Sequence, residues 1–156
     1  MRLHICAVGR IRSGPERALI DDYLTRFDKA GRALSLGPCH MHEIDERKAA
    51  TQTAEGHALL RAVPEGAYLI ALDERGAQMT SPAFADRLVQ IRDRGAGDLA
   101  CVIGGADGLA PEVTDCADQM LSFGQMVWPH RLARVMLAEQ LYRAATILSG
   151  SPYHRV

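Results

Sequence analysis

The sequence lacks several features that define large protein classes. Aromatic residues make up 5% of its 156 residues, and its four cysteines form no C-x-x-C pair. A disulfide scaffold, a zinc ribbon and a dithiol redox motif are therefore poorly supported, and we expect no metal. No apolar stretch approaches the ~20 residues of a membrane-spanning helix, and the N-terminus shows no signal-peptide pattern. We expect one cytoplasmic domain, with Cys6 and Cys101 as buried thiols.

A basic surplus is also missing, because 18 Lys and Arg residues against 19 Asp and Glu give a formal net charge of -1. Nucleic-acid-binding proteins usually carry visible positive charge, so this balance argues against that class. The distribution is uneven, however. Residues 98–128 hold five acidic residues and no Lys or Arg, whereas residues 129–156 hold four arginines and one Glu. The simplest interpretation is a solvated acidic helix beside a basic amphipathic one.

Short apolar runs alternate with segments of helical periodicity, which predicts one α/β domain with a mostly parallel sheet flanked by helices. Strands are predicted at residues 3–8, 67–72, 99–103 and 126–128. Residues 34–36 and 41–44 are weaker extended candidates. Residues 73–76 are predicted to form a turn, and Ser81-Pro82 to cap and open a helix. The predicted helices cover five segments: 15–30, 46–61, 81–94, 111–117 and 132–148.

Ligands of open parallel sheets bind beyond the carboxyl ends of the strands. Three loops lie at such ends: Leu72-Asp73, the glycine loop of residues 104–108, and residues 123–128. The glycine spacing is G-G-x-x-G rather than the G-x-G-x-x-G of dinucleotide-binding proteins, so a nicotinamide-dependent oxidoreductase is weakly supported. A tight strand-to-helix turn explains the glycines equally well. His40 and His42 alternate along an extended segment, and we interpret them as surface or core histidines.

Several motifs in order resemble the ribosomal RNA large subunit methyltransferase H family. They are Val102-Ile103-Gly104-Gly105-Ala106-Asp107-Gly108-Leu109, Leu121-Ser122-Phe123, Pro129-His130-Arg131-Leu132-Ala133-Arg134-Val135, Ala138-Glu139-Gln140-Leu141-Tyr142-Arg143-Ala144 and Pro152-Tyr153-His154-Arg155. The start of the chain, Tyr23-Leu24 and Leu72-Asp73 also fit. The resemblance covers essentially the whole chain and matches its length.

This resemblance implies a SPOUT-type fold with a C-terminal trefoil knot, within about residues 99–150, followed by a basic tail at residues 150–156. It implies a homodimer that transfers a methyl group from S-adenosylmethionine. The acceptor would be N3 of a pseudouridine in large-subunit (23S) ribosomal RNA, within the assembled ribosome. Neither periodicity nor spacing would predict a knot, because short unknotted connections are the general rule.

The resemblance also assigns residues to the two sides of the reaction. S-adenosylmethionine would contact the three loops, through Leu72, Gly104, Gly105, Phe123, Gly124, Gln125, Met126, Val127 and Trp128. Residues 123–126 depart from the family's small or aliphatic pattern, which affects side-chain roles more than backbone contacts. The base-recognition and catalytic side would be formed by Arg143, Tyr153, His154 and Arg155, with His130 nearby. The tail is expected to act on the partner subunit's cofactor site.

Simpler alternatives remain open for these residues. Arg143 and Glu139 have the i,i+4 spacing of a helical salt bridge, and a C-terminal tail commonly frays. A non-catalytic ribosome-associated module with the same fold is a second functional alternative. The near-zero net charge predicts weak binding to free RNA through phosphates alone, which fits a shaped target in an assembled ribosome.

Overall fold

The computed structural model describes residues 1–153. Five strands and five α-helices alternate along the chain. The strands are β1 (Arg2–Val8), β2 (Cys39–Ile44), β3 (Tyr68–Gln78), β4 (Asp98–Ile103) and β5 (Gln119–Ser122). The helices are α1 (Pro15–Gly31), α2 (Gln52–Ala62), α3 (Ser81–Asp93), α4 (Pro111–Cys116) and α5 (His130–Leu148). Two short 3-10 helices follow α1 and β2, at Arg32–Leu34 and Glu46–Lys48.

All five strands form one parallel sheet in the order β2-β1-β4-β3-β5. The register of β3 against β5 shifts between Leu72 and Ala77, because both residues pair with Leu121. Residues 73–76 therefore bulge outward from the strand. Since parallel strands share one direction, the carboxyl ends of β1, β3, β4 and β5 meet at the same edge of the sheet.

Helices cover both faces of the sheet and create two apolar layers. On one face, α1, α3 and α5 pack on alternate strand residues such as Leu3 and Ile5. On the other face, α2 and α4 pack on Cys6 and Val8. Successive residues of β1 and β4 thus point to opposite faces of the sheet, and both faces are covered by helices. This burial on both sides explains why the two strands are apolar at nearly every position. The predicted α/β fold with a mostly parallel sheet is confirmed.

The predicted strand at 126–128 is wrong. The edge strand lies earlier, at Gln119–Ser122, and residues 126–128 belong to an irregular loop. Their apolar letters mimic a buried strand, but Met126 and Val127 are 72% and 77% exposed. Apolar composition therefore misled the prediction, because these side chains face the opening of a cleft rather than the core.

Four other local predictions are also wrong. The helix predicted at 46–61 divides into the 3-10 helix and α2, because Asp45 caps the first segment and Thr51 starts the second by accepting a hydrogen bond from Ala54 N at 3.1 Å. The turn predicted at 73–76 is a bulge within β3, and the extended candidate at 34–36 is the end of a 3-10 helix followed by a turn. Thr80, rather than Ser81, caps α3.

His4, His40 and His42 lie on β1 and β2, and His4 belongs to a polar cluster toward the opposite, amino-terminal edge of the sheet. His4 is buried and bridges strands, because its Nε2 lies 2.9 Å from Asp98 Oδ1 and its Nδ1 lies 3.0 Å from His42 Nε2. Arg2 also forms two hydrogen bonds with Asp98, and this pairing lowers the pKa of that carboxyl. The cluster thus joins β2, β1 and β4. The interpretation of His40 and His42 as surface or core histidines agrees with their positions, since His40 is exposed and His42 is half-buried against His4.

Burial of the two predicted thiols is confirmed, and it raises the pKa of Cys6 and of Cys101 to about 12. Across residues 1–153, no helix combines the length and apolar character needed to cross a membrane.

Candidate active site

A cleft of about 940 Å³ opens at the carboxyl ends of β3, β4 and β5. It is bounded by the three loops that the sequence singles out. Eight of the nine residues predicted to contact the cofactor line it: Leu72, Gly104, Gly105, Phe123, Gly124, Met126, Val127 and Trp128. Gln125 belongs to the same loop but is not a lining residue. His130, at the start of α5, also lines the cleft.

The glycine loop requires glycine at position 104, where backbone atoms lie too close for a side chain, whereas at Gly105 the close neighbour is the movable end of the Glu55 side chain. A Cβ on Gly104 would lie 2.5 Å from the backbone of Gly108, and a Cβ on Gly105 would lie 2.9 Å from Glu55 Oε2. Gly105 and Gly108 form an isolated bridge, which tightens the loop. Gln52 of α2 holds it from outside by donating to Asp107 O at 2.7 Å. The loop is therefore fixed before any ligand arrives.

The loop after β5 presents apolar side chains to the cleft. Ser122 anchors its beginning, since its Oγ donates to Gly124 O at 2.8 Å and accepts from Gly124 N at 3.1 Å. Gly124 has a φ of 128°, which favours glycine. Beyond it, Met126, Val127 and Trp128 are exposed. An apolar patch on the wall of a cleft is typical of a small-molecule site.

Acidic groups surround the same cleft. Asp73, Glu74 and Asp107 line it, and Glu55 lies behind the glycine loop. Burial and the neighbouring carboxylates of Asp107 and Glu46 raise the pKa of Glu55. Asp73 is different, because its hydrogen bonds with Arg75 lower the pKa of its carboxyl. The cleft therefore combines apolar walls with negative charge, which suits a ligand that is partly apolar and partly cationic.

His130 is the histidine of the cleft, and burial lowers its pKa. The nearby guanidinium groups of Arg134 and Arg131 lower it further. Its Nε2 lies 3.4 Å from the position of a Cβ on Gly9, directly after β1. The surroundings of His130 therefore favour the neutral form of its imidazole.

Arg134 is a site residue whose role the sequence did not reveal. Its side chain is fully buried, and its Nη1 lies 3.1 Å from Glu43 Oε1 while its Nη2 donates to Val8 O. Its Nε is buried and finds no hydrogen-bond partner among residues 1–153. An arginine in the middle of an apolar helix face was the one available signal, since a buried cation needs acidic or carbonyl partners.

Arg143 and Tyr153 lie elsewhere in the same chain. Arg143 pairs with Glu139 at 2.6 Å, and Tyr153 lies 3.1 Å from Glu139 Oε1. The Arg143 guanidinium also lies over the Tyr153 ring, 5.2 Å from its centroid. His130 and Arg143 are thirteen positions apart on α5, which corresponds to about 20 Å along the helix. The structure thus does not bring these residues to the cleft of their own chain. His154 and Arg155 lie outside the described residues.

An apolar groove of about 420 Å³ connects these two regions along the surface. Glu139 lines it at one side, and Ser122, Phe123 and Gly124 line both the groove and the cleft. Its other walls include Leu19, Tyr23, Met79, Phe84, Val135 and Met136. Leu19 is 45% exposed and adds an apolar side chain to this groove.

Within the described part of the chain, no group of three or more His, Cys, Asp or Glu side chains is arranged to hold a metal ion. The cleft is lined by backbone groups of the glycine loop, by apolar side chains and by a few polar side chains such as Glu74, Asp107 and His130.

Comparisons with known proteins agree with this geometry. A solved methylase-family protein from Haemophilus influenzae Rd KW20 has the same fold, with a TM-score of 0.53 over 99% of this chain and 70% of that one. Its sequence identity is 13%, so the likeness concerns the fold alone. Two relatives named ribosomal RNA large subunit methyltransferase H, from Ruegeria pomeroyi and Cereibacter sphaeroides, are 63% and 60% identical over all 156 residues, with full coverage of both chains.

Residues 1–154 also match the family described as "Predicted SPOUT methyltransferase". The match spans both the sheet and the cleft, and it agrees with the resemblance seen in the sequence motifs. The chain belongs to the SPOUT methyltransferase family.

Proposed function

We propose that the protein transfers a methyl group from S-adenosylmethionine to N3 of a pseudouridine in large-subunit (23S) ribosomal RNA, in the cytoplasm and on the assembled ribosome. The observation that carries the proposal is the glycine-walled, apolar and acidic cleft in a chain of this family. The full-length relatives carry the name of a ribosomal RNA methyltransferase, which supports the choice of acceptor.

The residues of the cleft fit S-adenosylmethionine. Leu72, Met126 and Trp128 offer apolar surface to an adenine ring, and the backbone of the glycine loop can approach it closely. Glu74 and Asp107 supply negative charge near a cofactor that carries a sulfonium and an ammonium group, whereas Asp73 is already paired with Arg75. The cofactor, when bound, supplies an activated methyl group, so the chain mainly positions donor and acceptor in line.

The acceptor imposes two demands. N3 of the uracil ring must lose its proton near the transition state, and negative charge then develops on its carbonyl oxygens. His130 lines the cleft, and its surroundings favour the neutral imidazole, so it is a candidate to receive this proton. Cationic and hydrogen-bonding groups for the carbonyl oxygens would come from Arg143, Tyr153, His154 and Arg155.

We propose that these four residues act in the cleft of the partner subunit of a homodimer. The apolar groove supports this arrangement because it runs from the rim of the cleft at Phe123 to Glu139, which binds Arg143 and Tyr153. A partner seated on a two-fold axis there would carry its own Arg143 toward the opposite cleft. Arg143 does form the helical salt bridge with Glu139. This pairing would orient the guanidinium group and is compatible with a role of Arg143 in the partner's cleft.

The trefoil knot also belongs to this proposal, within about residues 99–150. Its support is the family, together with the position of β4 in the middle of the sheet and β5 at its edge.

The proposal is tested by incubating the protein with isotopically labelled S-adenosylmethionine and ribosomes that lack this methyl group. Label at N3 of one pseudouridine is expected, with less incorporation into protein-free RNA. Calorimetric titration should show binding of S-adenosylmethionine and none of NADH. Cofactor binding without methyl transfer would favour the non-catalytic alternative, and binding of NADH alone would favour the oxidoreductase.

A variant that ends at Pro152 separates the cofactor side from the acceptor side. It lacks Tyr153, His154, Arg155 and Val156, so we expect intact cofactor binding and a collapse of methyl transfer. Unchanged transfer would contradict the role given to the tail. Within the full chain, His154→Ala should flatten the pH–rate profile near neutrality if His154 is the base, whereas an unaltered profile would leave it a recognition residue.

A further inference from the structure

Four arginines from three separate segments surround a polar hollow of about 340 Å³ beside the cleft. Arg10 and Arg12 follow β1, Arg47 lies in the 3-10 helix after β2, and Arg131 lies in the first turn of α5. The remaining lining residues are Ser13, Asp45 and Glu46. Residues more than a hundred positions apart thus bring cationic side chains to one place.

Most of this positive charge is not neutralised locally. Among residues 1–153, the side chains of Arg12, Arg47 and Arg131 form no salt bridge, and Arg10 approaches Asp45 only at 3.8 Å. Asp45 is also occupied as the cap of the 3-10 helix, where it accepts from Arg47 N at 3.1 Å. Four guanidinium groups against two carboxylates leave two positive charges in excess at the hollow.

The hollow and the cleft are adjacent. His130 lines the cleft, and the next residue, Arg131, lines the hollow. Gly9 lies between them, because a Cβ on it would lie 3.4 Å from His130 Nε2 and 3.2 Å from Glu46 Oε2. An extended ligand that passes over the hollow would therefore continue directly past His130 into the cleft.

We propose that this arginine hollow binds the phosphodiester backbone of the RNA strand whose target base enters the cleft. The inference rests on the proposed function and adds its RNA contact surface. Guanidinium groups bind phosphate oxygens through paired N–H donors, and such contacts fix the path of a strand without selecting its sequence. The hollow would thus position the strand, and the groups at the cleft would select the base.

The test uses Arg12→Gln, Arg47→Gln and Arg131→Gln, singly and together, in the full-length protein. Arg94→Gln is the matched control, because Arg94 is also exposed, forms no salt bridge within residues 1–153, and follows α3 near the amino-terminal edge of the sheet. RNA binding is measured without cofactor, on ribosomal particles and on protein-free large-subunit RNA, at several salt concentrations. Methyl transfer is measured in parallel as KM and kcat, and cofactor binding by calorimetry.

Each arginine lost should lower the slope of log affinity against log salt concentration by about 0.7 to 0.9, and should weaken binding about fivefold at 0.1 M salt. KM for ribosomes should rise while cofactor affinity stays close to wild type in every variant. The kcat comparison uses Arg12→Gln and Arg47→Gln, which should keep kcat close to wild type, because Arg131 also lowers the pKa of His130. A triple variant with the same slope and KM as Arg94→Gln would overturn the inference. A loss confined to particles and absent with bare RNA would assign the hollow to an acidic ribosomal protein and would also overturn it.

The two proposals fail separately. If the wild-type protein neither binds S-adenosylmethionine nor methylates RNA, the proposed function is wrong, whatever the salt slopes are. If the wild-type protein methylates ribosomes and the three arginines do not affect its affinity for RNA, only the role of the hollow is wrong. Retained cofactor binding in the triple variant verifies that it is folded.

Discussion

The Nη2 of Arg134 donates a 2.5 Å hydrogen bond to the carbonyl oxygen of Val8, the last residue of β1. The same guanidinium binds Glu43 on β2, so one side chain ties α5 to two neighbouring strands. This connection holds the start of α5, and therefore His130, against the carboxyl edge of the sheet. Glu43 is held in turn, because its Oε1 accepts from Ile11 N at 2.9 Å.

Replacing Arg134 with Met should destabilise the protein by about 3 kcal/mol, because the carboxylate of Glu43 and the carbonyl of Val8 lose their buried partner. Urea unfolding measures this change as a lower midpoint. Arg131→Met is the control, since Arg131 lies on the same helix but is exposed, and it should shift the midpoint little. Equal midpoints for the two variants would contradict the anchoring role.

Gly104→Ala should weaken binding of S-adenosylmethionine and lower stability by about 1–3 kcal/mol, because the new Cβ has to push the backbone of Gly108 aside. Calorimetry and thermal unfolding measure the two effects. Gly97→Ala serves as the control, since a Cβ on Gly97 would meet nothing within 4 Å. If Gly104→Ala binds the cofactor as tightly as wild type, the loop does not form the cofactor wall.

Glu55→Gln should raise Tm at about pH 7 and leave it unchanged near pH 3. Because the pKa of Glu55 is raised in the folded state, its ionised form is disfavoured there. The stability that the neutral carboxyl contributes at low pH is therefore lost as the pH rises through the pKa of the folded state. The amide removes this unfavourable charge. Glu65→Gln, in an exposed turn, should have no such effect. A lower Tm for Glu55→Gln at neutral pH would show that the charge is stabilising.

Arg143→Ala should lower kcat for methyl transfer about 100-fold while cofactor affinity is kept, because the removed group would stabilise charge only in the transition state. Mixing this variant with Gly104→Ala, under conditions that exchange subunits, tests whether Arg143 acts across the dimer. Random pairing would restore one working cleft in half of the dimers, which is about a quarter of wild-type activity. No recovery on mixing would indicate that Arg143 serves its own subunit.

The sequence predicted the parts of the site that depend on local pattern. Short apolar runs identified β1, β3 and β4, and the parallel arrangement then placed Leu72 and the glycine loop at one edge. Contacts between distant positions were not predictable in this way. Arg134 meets Glu43 and Val8 across separations of 91 and 126 residues, and nothing near Arg134 in the chain indicates those partners. The hollow around Arg131 was missed for the same reason.

Local pattern also failed where apolar residues serve a surface. Met126, Val127 and Trp128 have the composition of a buried strand, yet they are exposed at the cleft. The true edge strand begins with Gln119 and is half-buried at that end, so its apolar pattern was weak. In the proposed cofactor site, hydrophobicity does not indicate burial in the core, because the apolar side chains there would contact a ligand instead.

The strand order has a consequence for how the chain can fold. β4 lies between β1 and β3, and β1 has no other neighbour on that side. When the nascent chain has reached only residue 97, β1 can pair with β2, but β3 has no strand to pair with. The sheet becomes continuous only when residues 98–103 enter between them. Such late, long-range pairing slows folding and leaves open strand edges exposed during synthesis, so the growing protein cannot close its sheet until β4 has been made.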